Sequence, residues 1–175
     1  DVLDDAGLDY EVVFVDDGSR DGSGDVLAEL AAAEPEVRVV SLRTNFGKGA
    51  ALMAGFRHAT GDAVVTMDAD LQDDPAEIPA MVEALEAGAD LVSGWKADRR
   101  DPWSKRIASK VFNGVTSRMS GLALHDLNCG LKAYRAEVVR SLSLSGDLYR
   151  YIPVMAAAEG FRVQEMAVNH RPRRF

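Results

Sequence analysis

Two acidic segments, each directly after a β-rich run, carry the residues best suited to chemistry. Tyr10 to Val15 leads into Asp16-Asp17-Gly18-Ser19-Arg20-Asp21, and Ala63 to Met67 leads into Asp68-Ala69-Asp70-Leu71-Gln72. In a parallel α/β sheet the residues just past the carboxyl ends of the strands line the ligand crevice. These acids are therefore expected to converge on one site. Carboxylates gathered in one place repel unless a cation sits among them. A divalent metal carrying a phosphorylated ligand answers that need, because magnesium takes a few carboxylates together with phosphate oxygens.

Each segment also has a plainer reading. Asp-x-Asp after a strand is common in solvated turns. Asp73, Asp74 and Pro75 read as a helix start, where acids favour the amino-terminal dipole. Gly18 permits a positive φ, and Ser19 or Asp21 can cap a helix beginning near Ser23. That reading leaves two adjacent acids at a strand end, Asp16 and Asp17, without a purpose. An ionised carboxylate is a pure acceptor, suited to a ribose hydroxyl or a base edge.

The elements that must position these residues alternate. Strands are expected at 10–15, 37–42, 62–67, 90–94, 131–134 and 162–168. Helices are expected at 23–34, 48–60, from Pro75 through Leu85, along Ile107, Val111, Val115 and Met119, at 137–142 and at 148–159. Such alternation argues for βαβ units, a mostly parallel central sheet and helices on both faces. No internal repeat or low-complexity linker divides the chain, so residues 1–175 read as a single domain.

Composition narrows the function classes. Hydrophobic residues make up 47% and charged residues 27%, ordinary for a globular domain. No apolar run approaches the ~20 residues that span a bilayer, and no signal peptide is visible. Cys129 is the single cysteine, so no internal disulfide forms, and it reads as a small buried residue. His58, His125 and His170 lack metal-ligand spacing. The net charge of −8 is uneven: Arg20 is the one base in the first 36 residues, whereas Lys96, Arg99, Arg100, Lys105, Arg106, Lys110 and Arg118 crowd one stretch. A basic stretch in an acidic protein points to an anionic partner there. Trp95 and Trp103 flank its first loop, where packing is the commoner fate and a membrane interface the alternative.

Four blocks taken together resemble the family 2 glycosyltransferases of GT-A nucleotide-sugar fold, and within them the polyprenyl-phosphate sugar transferases of dolichol-phosphate mannose synthase type. They are Val15 to Asp21, Asn45-Phe46-Gly47-Lys48-Gly49-Ala50-Ala51, Met67 to Pro75, and Asp126-Leu127-Asn128-Cys129-Gly130-Leu131-Lys132-Ala133-Tyr134-Arg135. Haloacid-dehalogenase-type phosphatases and response-regulator receivers share fragments of this set but not the whole. The resemblance implies that Asp16 and Asp17, with Ser19 and Lys48, serve the nucleotide-sugar donor, and that Asp68, Asp70 and Gln72 hold Mg²⁺ or Mn²⁺ against its diphosphate. It implies that Arg106, Ser109 and Asn113 contribute to an acceptor-phosphate region and that Asp126 is the family's third acid. A phosphate acceptor is already anionic near neutral pH and needs no strong base, so Asp126 is expected to position a cation such as Lys132.

The expected function is a metal-dependent inverting transfer of a sugar from a GDP-mannose or UDP-glucose type donor to a polyprenyl phosphate, at the cytoplasmic face of a membrane, with no nucleic-acid partner. The alternatives are transfer to a saccharide hydroxyl with Asp126 as base, or a nucleotide-sugar binding module without turnover. Members of the family begin with a strand and a Pro-x-Tyr/Phe-Asn-Glu loop and continue past a basic stretch like Arg171 to Arg174. On that comparison the chain is expected to be truncated at both ends, with the first strand of the sheet missing.

Overall fold

The computed structural model describes residues 2–96 and 124–171. The expected helix over Ile107 to Met119, with Trp103, Arg106, Ser109 and Asn113, lies outside the described residues. Six strands are seen: β1 (Val12–Asp16), β2 (Val37–Ser41), β3 (Ala63–Thr66), β4 (Leu91–Trp95), β5 (Lys132–Arg135) and β6 (Val163–Ala167). The helices are α1 (Val2–Asp5), α2 (Ser23–Ala33), α3 (Lys48–His58), α4 (Ile78–Glu86), α5 (Ala136–Ser141) and α6 (Ile152–Ala158).

Strands β1 and β2 pair in parallel, Val12 opposite Val37 through Asp16 opposite Ser41. The other four lie in the order β3-β5-β4-β6. Strand β5 runs antiparallel to both β3 and β4, and β4 runs parallel to β6. Three of these four strands thus share one direction. The sheet is mixed because β5 is threaded in reverse between two strands that precede it in sequence.

Alternation along the strands builds a core on each face of this sheet. Leu91 and Tyr134 point to one side, into a cluster with Phe56, Val138, Leu142, Ile152 and Ala156 from α3, α5, α6 and their flanks. Their neighbours Val92 and Ala133 point to the other side, where Met81 and Leu85 of α4 pack with Cys129, Leu131 and Val168. The Phe56 and Tyr134 rings meet edge to face with centroids 5.6 Å apart. Helices therefore cover both faces, as the sequence pattern requires. Truncating a side chain such as the fully buried Leu91 to alanine would cost about 2–5 kcal/mol.

One expected helix is divided. Residues Gly146–Tyr151 form a 3₁₀ segment, and the α-helix starts only at Ile152, with Pro153 in its first turn. Proline fits there because its missing N–H lies where no intrahelical bond is made.

Candidate active site

The two acidic segments reach the same end of the fold, by different routes. After β1 the chain turns through Gly18, whose φ of 77° is left-handed. A Cβ at this position would stand 2.6 Å from the Thr44 carbonyl carbon, so only glycine lets the turn lie against the segment after β2. Asp17 then reaches that segment. Its Oδ1 accepts the Phe46 amide and its Oδ2 the Gly47 amide, each at 2.8 Å. Asp16 instead closes its own turn, accepting the Ser19 amide at 2.9 Å. The bonds from Ser19 hold the Asp16 carboxyl below the usual carboxylate range. Both acids thus have backbone partners, and Ser19 is exposed beside them.

The loop that Asp17 braces delivers Lys48, first residue of α3, whose Nζ lies 2.5 Å from Asp68 Oδ1. A continuous chain of contacts therefore runs from Asp17 through Phe46 and Gly47 to Lys48 and on to Asp68. Opposite, Gly130 leaves room for the acid: a Cβ there would stand 2.6 Å from Asp68 Oδ2. Past Asp68 the chain reverses at Leu71, which holds a left-handed φ of 63°. Non-glycine residues in that region carry about 1–3 kcal/mol of strain, and such strain concentrates at functional sites. Asp70 Oδ1 accepts the Gln72 amide across this reversal at 3.1 Å.

Asp68 and Asp70 offer hard oxygen donors, and both are only half-buried. Among the described residues no cluster of three or more His, Cys, Asp or Glu side chains forms a cage. Hard carboxylate oxygens are the donor chemistry that Mg²⁺ or Mn²⁺ takes together with ligand phosphate oxygens, and Asp68 and Asp70 supply that chemistry. Gln72 directs its Nε2 to the Arg171 carbonyl at 3.3 Å.

Asp73 and Asp74 do more than start a helix. Asp74 accepts the Ala76 amide as a cap, yet it also meets Arg171 Nη2 at 2.6 Å and Asn169 Nδ2 at 3.0 Å. Burial pushes its carboxyl up, and the bonds from Ala76, Asn169 and Arg171 outweigh that and hold it low. Asp73, nearly buried, faces Lys96 Nζ at 3.3 Å and accepts the Asp68 amide at 3.3 Å. The far C-terminal segment is thereby clasped to the Asp68 loop.

A pocket opens beside Asp68, lined by Lys48, Thr66, Cys129, Lys132, Tyr149 and Arg150 among others. Lys132, the first residue of β5, is buried and donates to the Cys129 carbonyl. Burial pulls its amine below the ordinary lysine range, against the opposing charges of Asp126 and Asp68. Cys129 is buried too, its thiol pushed up to about 11, mainly by desolvation, which makes it a packing residue. Asp126 is buried, with its Oδ1 accepting the Asn128 amide at 3.1 Å. Its loop is held by Glu165 of β6, which accepts the His125 and Asp126 amides and His125 Nδ1 at 2.7–3.0 Å. His125 also stacks on Trp95, centroids 4.3 Å apart.

Of the residues expected at the site, Lys48, Asp68 and Lys132 line one pocket, and Asp126 lies next to its wall. Asp17 joins through the loop. Asp16, Ser19, Asp70 and Gln72 stand outside the pocket lining, and Arg106 lies outside the described residues. Glu165, Tyr149 and Arg150 were given no role from sequence. The Tyr149-Arg150-Tyr151 run ahead of Pro153 is the one signal that singles out the last pair.

A mixed sheet covered on both faces, with acidic loops at the strand ends, is the architecture of the GT-A nucleotide-sugar enzymes, and solved GT-A structures share it. Glucosyl-3-phosphoglycerate synthase from Mycobacterium tuberculosis, in a complex with Mg²⁺ and uridine diphosphate, matches with a TM-score of 0.69 at 23% identity, covering 96% of this chain and 61% of its own. A mannosyltransferase from Pyrobaculum calidifontis, bound to GDP-Man and Mn²⁺, matches with a TM-score of 0.65 at 23% identity, over 90% of this chain and 45% of its own. Residues 1–143 match the family model described as glycosyl transferase family 2, and the chain belongs to that family. It is 43% identical, over 97% of its length, to an undecaprenyl-phosphate 4-deoxy-4-formamido-L-arabinose transferase from Edwardsiella ictaluri, and it spans 53% of that relative.

Proposed function

We propose that this chain is the catalytic domain of an inverting transferase that moves a sugar from a nucleotide sugar to a polyprenyl phosphate. The observation that carries the proposal is the pocket where the Lys48–Asp68 pair from the donor-side loops meets the buried Lys132 amine. The 43% identical relative acts, by its name, on undecaprenyl phosphate, which supports a lipid phosphate as acceptor. A donor of GDP-mannose or UDP-glucose type is consistent with the nucleotides held by the structural relatives.

In the reaction an acceptor phosphate oxygen bonds to the anomeric carbon from the face opposite the diphosphate. The carbon–oxygen bond to the diphosphate breaks, and its electron pair leaves with the nucleoside diphosphate. No proton needs removing, because a phosphate monoester is ionised near neutral pH. Asp68 and Asp70, with Gln72, would hold Mg²⁺ or Mn²⁺, and a bound ion would supply positive charge for the leaving diphosphate. Asp17 orders the loop that carries Lys48. The Asp126 charge favours the Lys132 ammonium, which the Cys129 carbonyl orients in its buried position, so that cation support rather than proton abstraction is the task of Asp126. Asp16 and Ser19 form the turn that faces the nucleoside. Arg106 and its basic segment add charge on the acceptor side.

The domain acts at the cytoplasmic face of a membrane, where its lipid acceptor resides. Among the described residues no helix is long and apolar enough to cross a bilayer. We also propose that one further strand completes the sheet between β1 and β3. Among the described residues β1 pairs with β2 alone and β3 with β5 alone, while Glu11, just before β1, accepts the Thr60 amide and hydroxyl, just before β3. A version extended upstream should melt higher; an unchanged melting temperature would refute the extra strand.

Calorimetry with GDP and UDP, each with and without Mn²⁺, tests the donor half. Binding of one of them, strengthened by the ion, is expected. Absence of binding to either in the full-length protein would defeat the proposal.

A further inference from the structure

Three cations line the pocket, and two of them have partners. Lys48 Nζ is paired with Asp68 Oδ1, and Lys132 Nζ is directed at the Cys129 carbonyl. Arg150 is different. Its guanidinium carbon lies 5.3 Å from the centroid of the Tyr149 ring, and among the described residues it meets no carboxylate or carbonyl. Lys48 Nζ lies 5.6 Å from the same centroid. Two positive groups are thus gathered about one ring, from segments about 100 residues apart in sequence. Like charges brought together are costly unless an anion joins them, and Asp68 answers only the lysine.

The arrangement is not a loose surface accident. Residues 146–151 are packed on the start of α3 so closely that a Cβ on Gly49 would stand 2.5 Å from the Gly146 carbonyl oxygen. The segment that carries Tyr149 and Arg150 is therefore fixed to the same helix end that delivers Lys48. A guanidinium held over an aromatic face by cation–π attraction keeps its N–H edges available. Such an edge matches two oxygens of a phosphate group.

We propose that Arg150 is a binding residue for the phosphate of the acceptor, with Tyr149 as its orienting platform. This rests on the reading of the acceptor as a polyprenyl phosphate. The donor diphosphate has Asp68 and the ion it suits on its side of the pocket, so a second anion needs further positive charge. Arg150, on a different element of the same wall, adds to the charge that Lys132 and the basic segment of Arg106 bring. Arg150 makes and breaks no covalent bond; it holds the attacking phosphate beside the donor.

The test uses the full-length protein, radiolabelled nucleotide sugar, and two acceptors: a long polyprenyl phosphate in vesicles and a short, water-soluble prenyl phosphate. In Arg150→Ala the KM for both acceptors should rise about 10- to 100-fold, the range for a lost charge-assisted bond. The KM for the donor should stay within about twofold. Arg150→Lys should recover part of the loss, because it keeps the charge without the fork. The side chain is exposed, so folding should survive, checked by an unchanged melting temperature. An unchanged acceptor KM overturns the proposal, as does a rise in donor KM instead. A defect confined to the vesicle-borne lipid would mean that Arg150 senses the membrane surface, and that too overturns it. If the unaltered protein transfers nothing to either prenyl phosphate, the acceptor reading itself has failed and takes this proposal with it, a result distinguishable because no substitution is involved.

Discussion

Asp17 offers the sharpest test of how the donor side is built. Direct contact with the nucleoside was expected from sequence, yet both of its oxygens accept backbone amides, from Phe46 and Gly47 at 2.8 Å each. Each oxygen keeps a second lone pair, so the two roles are compatible but differ in consequence. Asp17→Ala removes both bonds. Hydrogen bonds to a charged group contribute about 1.5–3 kcal/mol each when sheltered, but water can reach this half-exposed site, so about 1–2 kcal/mol in total is expected. For a domain of this size the melting temperature should fall by roughly 2–8 °C. Lys48 should also lose its fixed approach to Asp68, weakening nucleotide binding by a factor of about 5–30. The decisive assay is a double-mutant cycle with Lys48→Ala, reading nucleotide affinity by calorimetry. If Asp17 acts through the loop, the double variant loses less than the sum of the singles, with a coupling of about 0.5–1.5 kcal/mol. Additive losses with an unchanged melting temperature would refute the loop-bracing argument and return Asp17 to direct nucleoside contact.

Other substitutions separate structure from chemistry. Lys132→Met leaves the buried Asp126 carboxylate without its neighbouring cation and should cost about 3–5 kcal/mol of stability, while transfer by the folded protein falls by at least about 100-fold; a folded variant of near-normal turnover would remove Lys132 from the mechanism. Asp126→Asn removes a charge that favours the Lys132 ammonium, so transfer should fall only in part and recover as pH is lowered and the amine is protonated; a loss as complete as that of Lys132→Met at every pH would favour Asp126 as a general base. Stability should also decline in acid. The Arg162 amide bond holds Asp90 low, and the Thr60 hydroxyl does the same for Glu11. Their contribution is complete above about pH 4–4.5, where the unfolded chain has ionised, and is lost as pH falls through the lower folded values. Asp90→Asn should flatten the melting temperature against pH in that range, and an unaltered curve would contradict the assignment.

The strands and the acidic loops were legible because both are local signals. Tyr10 to Val15 and Ala63 to Met67 announce strands by β-branched runs, and Asp68-Ala69-Asp70 announces a strand end by its charge. The strand directions were less legible: nothing in Lys132–Arg135 marks it as the one reversed strand among its neighbours. The contacts that build the site were hidden for the same reason, since they join residues distant in sequence. Asp17 meets amides 29 and 30 residues away. Glu165 secures the Asp126 loop from 39 residues downstream. Asp73 and Asp74 read as helix-start acids, whereas their cations, Lys96 and Arg171, arrive only through tertiary packing. The Tyr149-Arg150-Tyr151 run is visible in the sequence, but the place of Arg150 beside Lys48 depends on Gly49 and Gly146 touching, which no local pattern encodes.

The most direct trial is a transfer assay on the full-length protein with labelled nucleotide sugars, offering a polyprenyl phosphate and a set of unphosphorylated saccharides side by side. Label should pass to the lipid phosphate, with inverted anomeric configuration in the product. Label on a saccharide hydroxyl and none on the lipid would contradict the account.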